Sequence, residues 1–273
     1  MAYPLVINTF PFIWRYRIEE CLDHLATQGY RRTEIILTEP HCWPLTLPSD
    51  VRRRVAERIH SGAIEIVAFN LGGFDNNLAS PADEVRALTI RSLSAAIDLA
   101  AEWRVKGIVI SPGAGRPLLP PSAEQLHGWS RASLEVLLPR AKAAGVDLLL
   151  ENIPYSFLPT AAGLAGMVEA INHPNLGIIY DVPNAVFVRE SPKEGFRRLK
   201  KHIRLVHFSD TGLDTWRHDR LGAGIVKFDE ALACMRSIGY EGDLGLEIID
   251  PDGDEAIAAS VASLRKLDPA SPS

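Results

Sequence analysis

The sequence predicts an α/β protein of the (β/α)8 TIM barrel class, on three observations. Short β-branched runs alternate with amphipathic segments of helical length from one end to the other. Eight such pairs fit into 273 residues, close to the ~250 that a (β/α)8 barrel occupies. No GxGxxG follows the first run, so the main signature of a doubly wound dinucleotide-binding sheet, the other arrangement open to alternating units, is missing.

The expected strands are, in order, Leu5–Asn8, Thr33–Leu37, Glu65–Phe69, Gly107–Ser111, Val146–Glu151, Leu176–Asp181, Ile203–His207 and Leu244–Glu247. Between them, Ile18–Gln28, Asp50–Ser61, Ala82–Trp103, Ala123–Ala144, Ala161–Ile171, Lys193–Lys201, Asp229–Ile238 and Glu255–Lys266 repeat apolar residues at three- and four-residue spacing, the period of a helix with one buried face. Ser49, Ser80-Pro81 and Ser122 read as helix starts, because a serine hydroxyl can accept from an unpaired first-turn N–H. Gly29, Gly62, Gly145 and Gly239 fall just past helix ends, where a left-handed residue closes the last turn. No linker rich in Pro, Gly or Ser divides the chain, so residues 1–267 read as one domain and 268–273 as a disordered tail.

Composition narrows the function classes. A net charge of −5 supplies no basic footprint for nucleic acid. The N-terminus lacks a basic segment followed by a long apolar run, and no 18-residue apolar stretch occurs, so neither a signal peptide nor a membrane span is expected. Cys21, Cys42 and Cys234 are odd in number and far apart, which suggests no disulfide framework. The expectation is a cytoplasmic protein that binds no nucleic acid and no membrane.

Chemistry in such barrels gathers at the C-terminal ends of the strands. There, four consecutive apolar runs finish in polar residues: VDLLLE in Glu151, LGIIYD in Asp181, IRLVH in His207 and DLGLE in Glu247. One acid at a strand end is usually a cap or a solvated loop residue. Four on adjacent strands, ~4.8 Å apart, converge on one small volume. At ~5 Å and an effective dielectric of 20, each carboxylate pair repels by about 3 kcal/mol. Protonation of one or two acids would relieve this, and so would a divalent cation. Three carboxylates and one neutral imidazole suit the cation, with Mn²⁺, Mg²⁺ or Co²⁺ ahead of a structural zinc.

The segments LLLEN, IIYDVPN, LVHFSDT, WRHDRLGAGIVKF and YEGDLGLEI resemble the xylose-isomerase-like TIM-barrel superfamily of sugar isomerases and epimerases, most specifically from Val146 to Ile249. The resemblance implies one divalent metal, Mn²⁺ foremost with Mg²⁺, Co²⁺ or Zn²⁺ as alternatives, on Glu151, Asp181, His207 and Glu247. It also implies that Glu151 and Glu247 flank the substrate as acid and base. Two departures bear on the site. Asn184 stands where many members have a histidine that contacts substrate or supports the ligands. Asn70 and Ser111-Pro112 stand where the family's nuclease branch carries histidines for a three-metal cluster, so a single metal is implied.

The loops suggest substrate contacts. Arg217 and His218 lie in a long loop after the seventh strand, Trp14 and Trp43 in the loops after the first and second, and Asn70 and Asn152 at strand ends, all suited to a sugar's hydroxyls or ring face. Ser209 and Asp210 read as turn caps, the LGAG run as turn glycines, and His24, His60, His127, His173 and His202 as structural. The expected function is isomerisation or epimerisation of a small ketose or polyol-derived ketone, by removal of a proton next to a metal-bound carbonyl. A 3-dehydroshikimate-dehydratase-like lyase would start with the same step. An AP-endonuclease-like phosphodiesterase or a non-catalytic binding protein fits the residues less well. A homo-oligomer is compatible with all of these readings.

Overall fold

The computed structural model describes residues 3–71, 75–115 and 118–268. Eight parallel strands close on themselves in chain order: β1 (Leu5–Asn8), β2 (Arg32–Ile36), β3 (Glu65–Asn70), β4 (Gly107–Ile110), β5 (Asp147–Glu151), β6 (Leu176–Asp181), β7 (Ile203–Phe208) and β8 (Asp243–Leu246). Closure is made by β1 on β8, with Leu5 opposite Leu244 and Ile7 opposite Leu246. The fold is the expected (β/α)8 barrel.

Around it run α1 (Ile18–Thr27), α2 (Ser49–His60), α3 (Asp83–Trp103), α4 (Ala123–Ala144), α5 (Ala161–Ile171), α6 (Val182–Phe187), α7 (Pro192–Leu199), α8 (Phe228–Ser237) and α9 (Gly253–Leu267). Ser122 caps α4 as expected, its hydroxyl accepting from Gln125 N while the Gln125 side chain reaches back to Ser122 N. The other two starts differ. Ser49 is the first residue of α2, with Pro48 before it. Helix α3 begins at Asp83, and the Ser80 hydroxyl accepts instead from Ala82 N in the turn ahead of it. Gly29, Gly62, Gly145 and Gly239 all take positive φ, as their places past helix ends require. Arg104 and Asn172 close α3 and α5 in the same left-handed conformation without glycine.

Side chains alternate along a strand, so each strand sends every second residue into the barrel. Ala68, Val109, Leu149, Ile179 and Leu205 meet there as a separate buried cluster, apart from the larger apolar layer between strands and helices. Two residues further along, the same inward columns carry Asn70, Ser111, Glu151, Asp181 and His207. An apolar plug thus lies directly beneath a polar ring, and the period of two fixes both.

Glu247 sits one residue past the end of β8. Of the expected tail, Asp268 ends α9, its N–H donating to Leu264 O, and residues 269–273 lie outside the described residues. No described helix is long and apolar enough to cross a membrane.

Candidate metal centre and active-site cavity

Glu151, Asp181, His207 and Glu247 meet at the C-terminal mouth of the barrel, each offering one ligand atom within 4.8 Å of the others. Asp181 and His207 are paired neighbours in the β6–β7 register, and His207 faces Gly245 on β8. His207 Nδ1 lies 3.7 Å from Asp181 Oδ2 and 3.4 Å from Glu247 Oε2.

One further atom of each of the four has a hydrogen-bond partner. Asp181 Oδ1 accepts from Asn184 N, making Asp181 the N-cap of α6. Glu247 Oε1 accepts from Asn8 Nδ2 and Asn70 Nδ2, both at 3.3 Å. Glu151 Oε1 accepts from Asn184 Nδ2. His207 Nε2 is 2.6 Å from Glu34 Oε2. By contrast, Asp181 Oδ2 and His207 Nδ1 are buried without a hydrogen-bond partner. Unpartnered buried polar atoms are rare because each forfeits its hydration. Two of them, aimed at one point beside two further carboxylates, fit a divalent cation with one nitrogen and three oxygen donors.

The electrostatics carry the same strain. Burial, then the Glu247 and Asp181 carboxylates, push Glu151 well above the usual carboxylate range. Burial raises Asp181 to about 6, with His218 acting against it and Glu247 adding to it. His207 is raised although burial works the other way, because the Glu34 and Glu247 carboxylates outweigh it. Burial also opposes ionisation of Glu247, yet His207 and His218 hold it below its ordinary value.

Above the cluster opens a cavity of about 510 Å³. Glu151 and Glu247 line it, whereas Asp181 and His207 lie beneath its floor, fully buried. Asn70, Asn76, Ser111, Arg217 and Asp219 bring polar groups to its lining, and Phe10, Ile153, Tyr155, Trp216 and Ile249 bring apolar ones. His218 completes the floor, its Nδ1 3.2 Å from Glu247 Oε2 and 3.0 Å from Ser209 Oγ.

Arg217 and His218 are held there by the loop after β7. Backbone bonds in both directions join Asp210 to Asp219. The Asp210 carboxylate accepts from the backbone N–H groups of Thr211, Gly222 and Val226. Gly224 is needed for closeness, since a Cβ on it would lie 2.3 Å from Thr211 O and 2.5 Å from Asp210 Oδ1. Asp210 is thus a turn cap, as its position suggested, while Ser209 serves His218.

Other expected contacts fall elsewhere. Asn184 is fully buried and does not line the cavity. Its Oδ1 accepts from Trp216 Nε1 at 2.6 Å and its amide donates to Glu151, so the cavity meets Trp216 in its place. Asn152 clamps the backbone of Asp181, with bonds of 2.8 Å to its N and O. Trp14 is 77% exposed and outside the cavity, because the 3-10 turn Phe10–Phe12 directs Phe10 there instead. Trp43 packs against the apolar layer and borders a separate depression with Arg17 and Glu39. The aromatic residues of the lining are therefore Phe10, Tyr155 and Trp216. Glu34 and Asn8 are the polar members that strand-end reasoning missed. The one sequence signal for Glu34 is an acid in RTEII sharing the parity of Ile36.

Residues 22–267 match the family described as xylose isomerase-like TIM barrel. An uncharacterized protein of Methanocaldococcus jannaschii is 29% identical over 181 residues, which are 63% of this chain and 61% of that protein. The match therefore spans about three fifths of the relative's length. Among solved structures, a D-tagatose 3-epimerase-like protein superposes with a TM-score of 0.83 at 22% identity, covering 97% of this chain and 98% of the other. An L-ribulose 3-epimerase gives 0.78 at 22% identity, covering 98% and 94%. The IolI protein, solved with a bound zinc atom, gives 0.81 at 20% identity, covering 97% of each. The length of the family match, with every strand of the closed barrel but the first inside it, establishes that the chain belongs to the xylose isomerase-like TIM-barrel family.

Proposed function

We propose that the chain is a divalent-metal-dependent isomerase or epimerase of a small ketose or related hydroxy-ketone. One observation carries the proposal: of the four residues that could hold a cation, the two glutamates are the ones that reach the cavity. Fold likeness alone would leave the reaction open. The neighbours named as 3-epimerases lend support, as does the zinc atom in IolI.

Proton abstraction beside a carbonyl, and its return to another carbon or the opposite face, needs two acid/base groups. Glu151 and Glu247 would serve, each steadied by neutral amides: Asn184 on Glu151, Asn8 and Asn70 on Glu247. Donors of that kind orient a carboxylate without neutralising it. His218, within 3.2 Å of Glu247, would hydrogen-bond a substrate oxygen at the floor. Arg217 and Asn70, in the cavity lining, would take hydroxyls, and Trp216 would cover an apolar ring face. A cation on Glu151, Asp181, His207 and Glu247, Mn²⁺ in the first instance, would supply the Lewis acidity that draws electron density from a carbonyl oxygen.

The test is solvent exchange. Protein loaded with Mn²⁺ should incorporate deuterium from D₂O into a turned-over ketose at the epimerised or isomerised carbon. Glu151→Gln and Glu247→Gln should each lower turnover by about 10²–10⁴ without loss of fold. Full turnover in both variants would refute the assignment. A conjugated product accumulating with loss of water would replace it by a lyase.

A further inference from the structure

We infer that Glu34 is the positioning residue of this centre, acting through His207 to leave Nδ1, and not Nε2, as the ring nitrogen offered to a cation. The inference rests on the proposed metal site and concerns a residue outside the four.

Glu34 is fully buried in β2, three strands around the barrel from His207 on β7, and its carboxylate reaches across the interior. Its Oε2 is 2.6 Å from His207 Nε2, and its Oε1 accepts from Asn70 Nδ2 at 2.9 Å. Gly245 keeps the crossing open: a Cβ there would lie 2.7 Å from His207 Cδ2 and 3.5 Å from Glu34 Oε2. Among the described residues no lysine or arginine pairs with Glu34, and His207 is its ion-pair partner. A carboxylate kept in a barrel interior with one imidazole as its counter-charge is costly to retain for packing alone.

Its effect follows from hydrogen-bond direction. A carboxylate accepts, so Nε2 must carry the hydrogen, and in the neutral ring Nδ1 then carries the lone pair. Nδ1 is the atom left without a partner, facing Asp181 Oδ2 and Glu247 Oε2. Without Glu34 the opposite tautomer becomes available. Its Nδ1–H would donate to those carboxylates, and a hydrogen would stand where the cation belongs. The charge on Glu34 also makes the ring a stronger donor toward the ion.

Two measurements test this. In protein labelled with ¹⁵N-histidine and loaded with ¹¹³Cd²⁺, the His207 cadmium coupling should appear on Nδ1, with Nε2 keeping its hydrogen. Cadmium coupling on Nε2 would overturn the inference, and this readout needs no variant to fold. Glu34→Met, which keeps the length but cannot accept from Nε2–H, should bind Co²⁺ about 10–100-fold more weakly in chelator competition while unfolding cooperatively. Co²⁺ affinity within about twofold of the parent in a folded Glu34→Met would also overturn it. Should the parent protein bind neither Cd²⁺ nor Co²⁺, the metal-centre reading fails and takes this inference with it.

Discussion

Replacing Asp181 by asparagine should stabilise the metal-free protein and abolish its response to metal. Burial raises the Asp181 carboxyl from 3.8 to about 6. A carboxyl whose folded value lies above its unfolded value stabilises the fold while protonated. That contribution is complete below pH 3.8 and is lost as the pH rises through about 6. That difference makes the loss about 3 kcal/mol. The amide introduced by Asp181→Asn cannot ionise, yet its carbonyl can still accept from Asn184 N, so the N-cap of α6 survives. After removal of metal with EDTA, the variant and the parent should be nearly equal in stability at pH 4. By pH 7 the variant should lead by about 3 kcal/mol, which for a domain of this size raises Tm by roughly 6–12 °C. Mn²⁺ at 100 times its Kd should then stabilise the parent by about 2.7 kcal/mol and leave the variant unchanged. Urea or thermal unfolding across pH 4 to 8, with and without Mn²⁺, reads all of this. A metal-free variant less stable than the parent at pH 7, or a gap that does not vary with pH, would refute the account of a cluster strained by its own charge.

The loop after β7 and the Asn184 relay give two further tests. Gly224→Ala forces a Cβ against Thr211 O and the Asp210 carboxylate, neither of which can yield without opening the loop. Stability should fall by about 1–3 kcal/mol, and KM should rise as Arg217 and His218 shift; a neutral result in unfolding and steady-state kinetics would show the loop to be slack. Trp216→Phe keeps an aromatic residue in the lining but leaves Asn184 Oδ1 buried without a donor, a cost of about 1–3 kcal/mol. Calorimetry should register that loss. An unchanged Tm would mean that Asn184 holds Glu151 without help from the indole.

Much of the framework is legible in the sequence because it is local. A strand with an apolar inward column, a helix with one apolar face and a glycine past its end each announce themselves within a dozen residues. The eight strands fall where the β-branched runs are, with ends shifted by one residue at β2, β3, β4, β5, β7 and β8. Helix α6 escapes this reasoning because six residues, VPNAVF, are too few to show a helical period. Its start is set instead by Asp181, which caps it while presenting its other oxygen to the cluster.

The candidate ligands are legible for a related reason. Glu151, Asp181, His207 and Glu247 each close an apolar run, and adjacent strands must bring such ends together. Loop aromatics carry no comparable signal: Trp14 and Trp43 have the composition of a sugar platform, yet only the path of the chain decides that Phe10, Tyr155 and Trp216 face the cavity. Asn184 sits at a site position by spacing, but its burial beneath Trp216 is settled by a loop 32 residues further on.

By itself, then, the sequence determined the barrel, its inward columns and the four residues that end them, since each depends on residues near in the chain. Tertiary structure alone decided which side chains stand behind those four. Glu34 meets His207 across 173 residues, through a gap left by Gly245 on a third strand. No periodicity encodes that meeting, because it exists only once the sheet has closed.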